Sequence, residues 1–207
     1  RSAWSRRAAA GPVRYRITMD TLSALRGILA GTLDPSVIGG LRGLRARQGQ
    51  TIFDEGDPSD AMYLLIEGRV RTLVSQGQGD GTHTTALLRA PALFGDRDLL
   101  LEREAAETAV CLSASRLYAW ESGHFLERWR AEPELQRWLS RDLAARYAAS
   151  LELTALQLSS LAALVRALWA DAEANGEPRP SAGELALVTG AAHKSVQRAI
   201  SSLDPGA

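Results

Sequence analysis

The sequence predicts an α+β protein in three parts: a β-sandwich or jelly roll, a long helix, and a C-terminal helix-turn-helix. Three observations predict it. From Gly49 to Trp120, short runs rich in β-branched and aromatic residues alternate with turn residues, the pattern of several short strands. From Pro133 to Asp171 the chain is rich in Ala and Leu, with no internal proline or glycine, which is high helix propensity sustained over a long stretch. From Ser181 onward two short helical patterns flank Gly190, a pair of helices joined by a tight turn.

Composition bounds what such a chain can be. Its 207 residues suit one or two domains, two being the better fit, and 45% apolar with 23% charged residues marks an ordinary globular protein. No apolar run is long enough to span a bilayer. Formal net charge is zero, so any nucleic-acid contact must come from a local patch. The single cysteine, Cys111, allows no internal disulfide and no cysteine-only metal cluster, which suits a reducing cytoplasm. No nucleophile-base pair, phosphate-binding glycine loop or metal-ligand spacing is present, so neither catalysis nor a metal is expected.

Residues 1–19 carry Arg1, Arg6, Arg7, Arg14 and Arg16 without an acidic residue. They read as a phosphate-binding arm or as the remnant of an upstream start, with Met19 just ahead of a folded-looking segment. Asp20 or Thr21 caps a short helix through Leu22, Leu25 and Leu29, and Asp34-Pro35 opens another through Val37 and Leu41. Strands are expected near Thr51 to Phe53, Met62 to Glu67, Arg69 to Ser75, Thr82 to Leu88, Thr108 to Leu112 and Arg116 to Trp120. Gly56-Asp57-Pro58-Ser59-Asp60 is a turn, and the glycine-rich residues 76–81 form a hairpin tip.

In the long helix, Tyr147, Leu151, Thr154, Leu158 and Leu161 follow alternating steps of four and three, the spacing of a coiled-coil seam, which predicts a two-fold dimer. Ala172 to Pro180 then reads as a linker. Ser181 and Glu184 make a capping box that starts the first short helix, with Leu185 and Val188 on its buried stripe. In the second, Val196, Ala199, Ile200 and Leu203 share one face while His193, Lys194, Gln197 and Ser201 share the other. Lys194 and Arg198 can donate to phosphate or guanine, Gln197 can pair adenine, and Ser195 can hold a phosphate. This outer face is the candidate DNA-binding surface.

The run Gln48-Gly49-Gln50-Thr51-Ile52-Phe53-Asp54-Glu55-Gly56-Asp57-Pro58-Ser59-Asp60-Ala61-Met62-Tyr63-Leu64-Leu65-Ile66-Glu67-Gly68-Arg69-Val70 resembles the opening of the cyclic-nucleotide-binding β-roll. Followed by the C-terminal hairpin, it resembles the cyclic-AMP receptor and Fnr (Crp-Fnr) family of bacterial transcription regulators over about residues 21–205. The resemblance implies a β-roll sensor-like domain at 20–131, a dimerisation helix and hinge at 132–171, and a helix-turn-helix domain at 172–207. It also implies double-stranded DNA, a second copy of the chain and RNA polymerase as partners, with no membrane. The family follows its recognition helix with a β-hairpin wing; in this sequence four residues follow Leu203, so the reading expects no wing within them.

The resemblance also places an effector pocket. Gly95-Asp96 resembles the family's Gly-acid pair, whose carboxylate accepts from a ribose hydroxyl. The place of the phosphate-binding arginine that follows falls on Ala105, Ala106 or Glu107. A Glu107 carboxylate about 4 Å from a phosphate opposes it by up to roughly 4 kcal/mol at an effective dielectric of 20, comparable to a thousandfold loss of affinity. Leu151 and Glu152 stand where relatives offer small polar groups to the base. The pocket formed by Gly95, Asp96, Glu107, Leu151 and Glu152 is therefore expected to be degenerate, with no cofactor and with cyclic nucleotide disfavoured. The alternative functions are a ligand-binding signalling module, or a dimeric interaction protein, that does not bind DNA.

Overall fold

The computed structural model describes residues 40–75 and 82–204. The expected N-terminal arm, the helix through Leu29 and the glycine-rich hairpin tip lie outside them. Eight strands make two four-stranded antiparallel sheets: β1 (Leu41–Ala46), β2 (Thr51–Phe53), β3 (Ala61–Glu67), β4 (Arg69–Ser75), β5 (Thr82–Arg89), β6 (Ala92–Phe94), β7 (Thr108–Cys111) and β8 (Ser115–Glu121). One sheet has the order β1-β8-β3-β6, the other β2-β7-β4-β5. A one-turn helix, α1 (Asp96–Leu100), leaves β6. Every strand expected from the sequence is present, but β1 and β6 were not among them. Leu41, expected to continue a helix, opens β1, because a register running from Leu41 opposite Trp120 to Ala46 opposite Ser115 gives the segment backbone partners.

Period-two geometry explains why β3 and β8 read as unbroken apolar runs. Tyr63, Leu65, Leu117 and Ala119 turn into the core between the sheets with Val70, Phe94, Ala109 and Cys111. Met62, Leu64, Tyr118 and Trp120 turn outward under helices, packing with Leu93, Leu99, Phe125, Leu135 and Leu139. Both faces are thus buried, and alternation between polar and apolar residues disappears. The covering helices are α2 (Ser122–Ala131) and the first half of α3 (Pro133–Ser159).

The long helix expected through Asp171 is interrupted. Ser160 is extended, at φ −169 and ψ 153, and its hydroxyl accepts from the N–H of Ala163 to start α4 (Leu161–Ala174). Ser159 and Ser160 compete with helical hydrogen bonding through their own side chains; nothing in a proline- and glycine-free run announces a break otherwise. α4 packs on α5 (Ala182–Thr189) and α6 (His193–Leu203), and Val165, Leu185, Val196 and Ala199 form the centre of this second core. Leu161 and Trp169 also pack there. The helical head therefore gathers residues well upstream of Ala172, and the linker expected from Ala172 contains the last turn of α4.

The head's local chemistry follows the expected pattern. Ser181 accepts from the N–H of Glu184 at 3.3 Å while Glu184 accepts from the N–H of Ser181 at 2.8 Å. Gly190 closes α5 in the left-handed region at φ +70, where a β-carbon is strained. Among the described residues no helix is long and apolar enough to cross a membrane.

Candidate functional site

The sequence singled out two regions, one beside β6 and one on the last helix. The first is α1. Gly95 precedes it at φ +78, and a β-carbon there would come to 3.0 Å of the Tyr63 ring and 3.3 Å of the Ala61 carbonyl. Only glycine lets the chain pass so close to β3. That passage puts two carboxylates, Asp96 and Asp98, in the first turn of α1, 0% and 4% exposed.

Asp96 does not face an empty subsite. Arg146, on α3 and 50 residues away, donates from Nη1 to Oδ1 at 3.0 Å and from Nη2 to Oδ2 at 2.6 Å. Its Nε donates to Asp142 at 2.7 Å. Burial by itself would lower the Arg146 pKa, but the bonds to Asp96 and Asp142 raise it, so the guanidinium stays charged. The oxygen atoms that the resemblance assigns to a ribose hydroxyl are held by the chain's own arginine in a bidentate pair.

The other charges around α1 are likewise matched from within. Burial pushes the Asp98 carboxyl up, and the bonds from Arg97, the Ala106 N–H and Arg103 outweigh it, bringing its pKa down to about 2. Those bonds run from Arg97 Nε at 3.0 Å, Ala106 N–H at 2.9 Å and Arg103 Nε at 2.9 Å. Glu107 accepts from the Thr85 hydroxyl at 2.6 Å and lies 3.7 Å from Arg97 Nη2. Thr85 in turn shares a 2.7 Å hydrogen bond with Thr72. Ala105 is buried, and Arg103 is engaged by Asp98 rather than free for a phosphate. Leu151 and Glu152 are both exposed on α3.

The seam positions divide. Tyr147 and Leu151, one turn apart, are 66% and 53% exposed, an apolar pair presented to solvent in the single chain. Thr154 is half-buried and its hydroxyl donates to the Ser150 carbonyl at 2.8 Å. The side chain of Leu158 lies outside the described residues.

The second region is the outer face of α6. Val196 and Ala199 are buried, whereas His193, Lys194, Gln197, Arg198 and Ser201 are exposed and Ser195 is half-buried. All six stand on one continuous helix. No described acidic residue is paired with Lys194 or Arg198. The helix thus presents donors for phosphate and base edges on the side away from its apolar stripe.

Two functional residues escaped the sequence reading. Arg146 shows only an ordinary i, i+4 pairing with Asp142; its partner of consequence is 50 positions upstream. Arg71, on β4, is 7% exposed, and its Nη1 donates to the Leu187 carbonyl at the end of α5. An arginine in an alternating strand reads as solvent-facing, and the head that covers it is 116 residues later.

Known proteins share both the roll and its arrangement with the helices. Residues 44–131 match the cyclic nucleotide-binding domain family. The chain is 37% identical over 110 residues to the cyclic AMP receptor protein of Thermus thermophilus, covering 53% of this chain and 50% of that protein. The crystal structure of the Thermus thermophilus catabolite activator protein aligns over 86% of this chain and 87% of its own, at 28% identity and a TM-score of 0.52. A transcriptional regulator of the crp/fnr family from Eubacterium rectale aligns over 86% of each chain with a TM-score of 0.70 at 13% identity, a likeness of fold alone. The chain spans 50% to 58% of the length of the curated regulators it matches. Roll, long helix and helix-turn-helix make up the fold of the Crp/Fnr regulators, with a cyclic nucleotide-binding-type domain in the roll.

Proposed function

We propose that this protein is a sequence-specific DNA-binding regulator that works as a homodimer in the cytoplasm and needs no cyclic AMP in the usual pocket. The observation that carries the reading is the exposed donor face of α6, opposite an apolar stripe centred on buried Val196 and Ala199. A helix of that design, following a first helix and a glycine turn, enters a major groove with its N-terminal residues toward the base edges. Tyr147 and Leu151, exposed side by side on α3, supply the apolar start of a two-fold helical interface. Such a dimer would present two heads to half-sites about 34 Å apart.

Independence from cyclic AMP is supported by charge. Asp96, Asp98 and Glu107 are each satisfied by residues of the same chain, and none of the positions expected to neutralise a phosphate, Ala105, Ala106 or Glu107, is cationic. A bound cyclic nucleotide would have to displace Arg146 from Asp96 with its ribose, and would bring its phosphate to a segment whose one charged candidate position, Glu107, is a carboxylate.

Selection from a pool of random duplexes, with and without cyclic AMP and over a range of salt, tests the whole reading. Enrichment of a two-fold-symmetric site without nucleotide is expected; enrichment only with nucleotide sinks the independence, and none at all sinks the DNA reading. On the selected site, Gln197→Ala should lose about 1–3 kcal/mol of discrimination at one base pair, whereas Lys194→Ala should weaken all sequences alike. Equal losses on specific and random duplexes for both variants would remove α6 from groove reading.

A further inference from the structure

A cavity lies between the β4–β5 pair and the helical head. The last turn of any helix leaves carbonyls without intrahelical partners, and at the end of α5 two of these are taken by side chains of the roll. Arg71 donates to the Leu187 carbonyl, and the Thr84 hydroxyl donates to the Val188 carbonyl at 2.7 Å. These bonds hold two walls together around a preformed space of about 80 Å³. Leu87 and Leu112 line it from the roll, and Leu168, Leu187 and Val188 line it from the head.

The apolar space adjoins a polar cleft of about 420 Å³, and Arg69, Arg89 and Glu184 line both. Arg89 is engaged by Glu177 and, at 2.9 Å, by Asp171. Arg69 differs. Its guanidinium has one partner among the described residues, Glu177 at 3.6 Å, beyond the ordinary range of an N–H···O bond, so its donors are open to an anion. Glu184 offers the opposite chemistry. Its Oε2 accepts from the Ser181 N–H and hydroxyl, each at 2.8 Å, while among the described residues Oε1 accepts no hydrogen bond. The capping bonds, and then the charge of Arg69, hold this carboxyl below its usual range.

A cation with open donors, a carboxylate with an open oxygen and an apolar recess beside them match a molecule of three parts. The recess sets the size of the apolar part. An apolar cavity of about 150 Å³ holds benzene, roughly 25 Å³ per carbon, so about 80 Å³ takes about three carbons. A leucine-lined space of that size stays dry, and an alkyl group entering it gains contacts that the empty space lacks. An aromatic group is too large, and a charged one would lose its water without a partner.

We propose that this cavity is a binding site for a small aliphatic α-amino acid of the valine type. The side chain fills the leucine-lined recess, the α-carboxylate accepts from Arg69, and the α-ammonium donates to Oε1 of Glu184. The site shares no residue with α1 or with the outer face of α6, and its occupancy can be measured without DNA.

Calorimetry of the full chain with L-valine tests the site, with amide hydrogen exchange to place it. Saturable binding with a Kd between about 10 μM and about 1 mM is expected, with exchange slowed most at the end of α5. Isovalerate, which lacks the ammonium, and isobutylamine, which lacks the carboxylate, should each bind at least about tenfold more weakly. Glu184→Gln keeps the helix cap, since glutamine also serves a capping box; it should bring L-valine down to the affinity of isovalerate and leave isovalerate unaltered. Arg69→Gln should do the same for L-valine relative to isobutylamine. Leu168→Ala enlarges the recess by about three carbons, to about the size that holds benzene, and should shift preference from L-valine to L-phenylalanine, a gain that a weakened fold does not produce. No saturable binding of L-valine, by heat or by exchange, overturns the site. Equal affinity for L-valine, isovalerate and isobutylamine overturns the roles of Arg69 and Glu184, and an unaltered preference in Leu168→Ala overturns the recess.

Discussion

Two parts of the roll grip the helical half of the molecule, and they grip it with different physics. At α1, Asp96 is fully buried and both of its oxygens are held by Arg146 of α3, beside the apolar cluster of Leu99, Leu135 and Leu139. At β4 and β5, the head is held by half-exposed ion pairs and two capped carbonyls around a cavity. The first contact secures a helix that must keep one position relative to the roll. The second is open to water and salt at its edges.

The difference is sharpest at Arg146. Arg146→Met leaves the Asp96 carboxylate buried without a partner, and breaking a buried pair from one side costs about 3–5 kcal/mol. Urea unfolding should show that loss, and adding Asp96→Asn should recover part of it; full stability in Arg146→Met alone would mean that the two grips do not differ as described.

Acid should act next, on the charges around α1. Asp98 has a folded pKa of about 2, below its unfolded value, so its contribution is present above pH about 4 and is lost as pH falls toward about 2. The loss should be on the order of 1–2 kcal/mol once solvent screening of Arg97 and Arg103 is allowed for. Comparing unfolding free energies of the parent and Asp98→Asn from about pH 2 to about pH 7, in steps of about one unit, should show a flatter profile in the variant. A profile of equal slope would remove the α1 network from acid sensitivity.

The smallest effect is expected at the second grip. Arg89→Gln removes pairs to Asp171 and Glu177 that are partly exposed, and should change global stability by no more than about 1 kcal/mol, while exchange at the α5 end rises. A stability loss as large as that of Arg146→Met would place Arg89 in the same class as the buried pair.

Much of this molecule was legible in its residues because local chemistry carried it. Alternation and turn signals located most strands. The capping box at Ser181 and the glycine at position 190 bounded α5, and the apolar stripe of α6 separated buried Val196 and Ala199 from exposed Lys194 and Gln197. Each of these depends on neighbours within a turn or a hairpin, which is the range over which sequence speaks directly. The departures lay elsewhere. β6 is three residues long, and β1 pairs with β8 at the far end of the roll's sequence, so neither has a local signature. The break at Ser160 follows from a hydroxyl that can either cap a helix or sit quietly within one.

Sequence alone therefore determined most of the elements and their order, and the chemistry of the face that reads as a DNA contact. Tertiary structure decided which charges meet. Asp96 finds Arg146, Glu107 finds Thr85 and Arg97, and Arg71 finds the end of a helix far downstream in the chain. Periodicity assigns a side chain to a face, but its electrostatic partner is chosen by how the faces are brought together, and burial then gives that choice its energy.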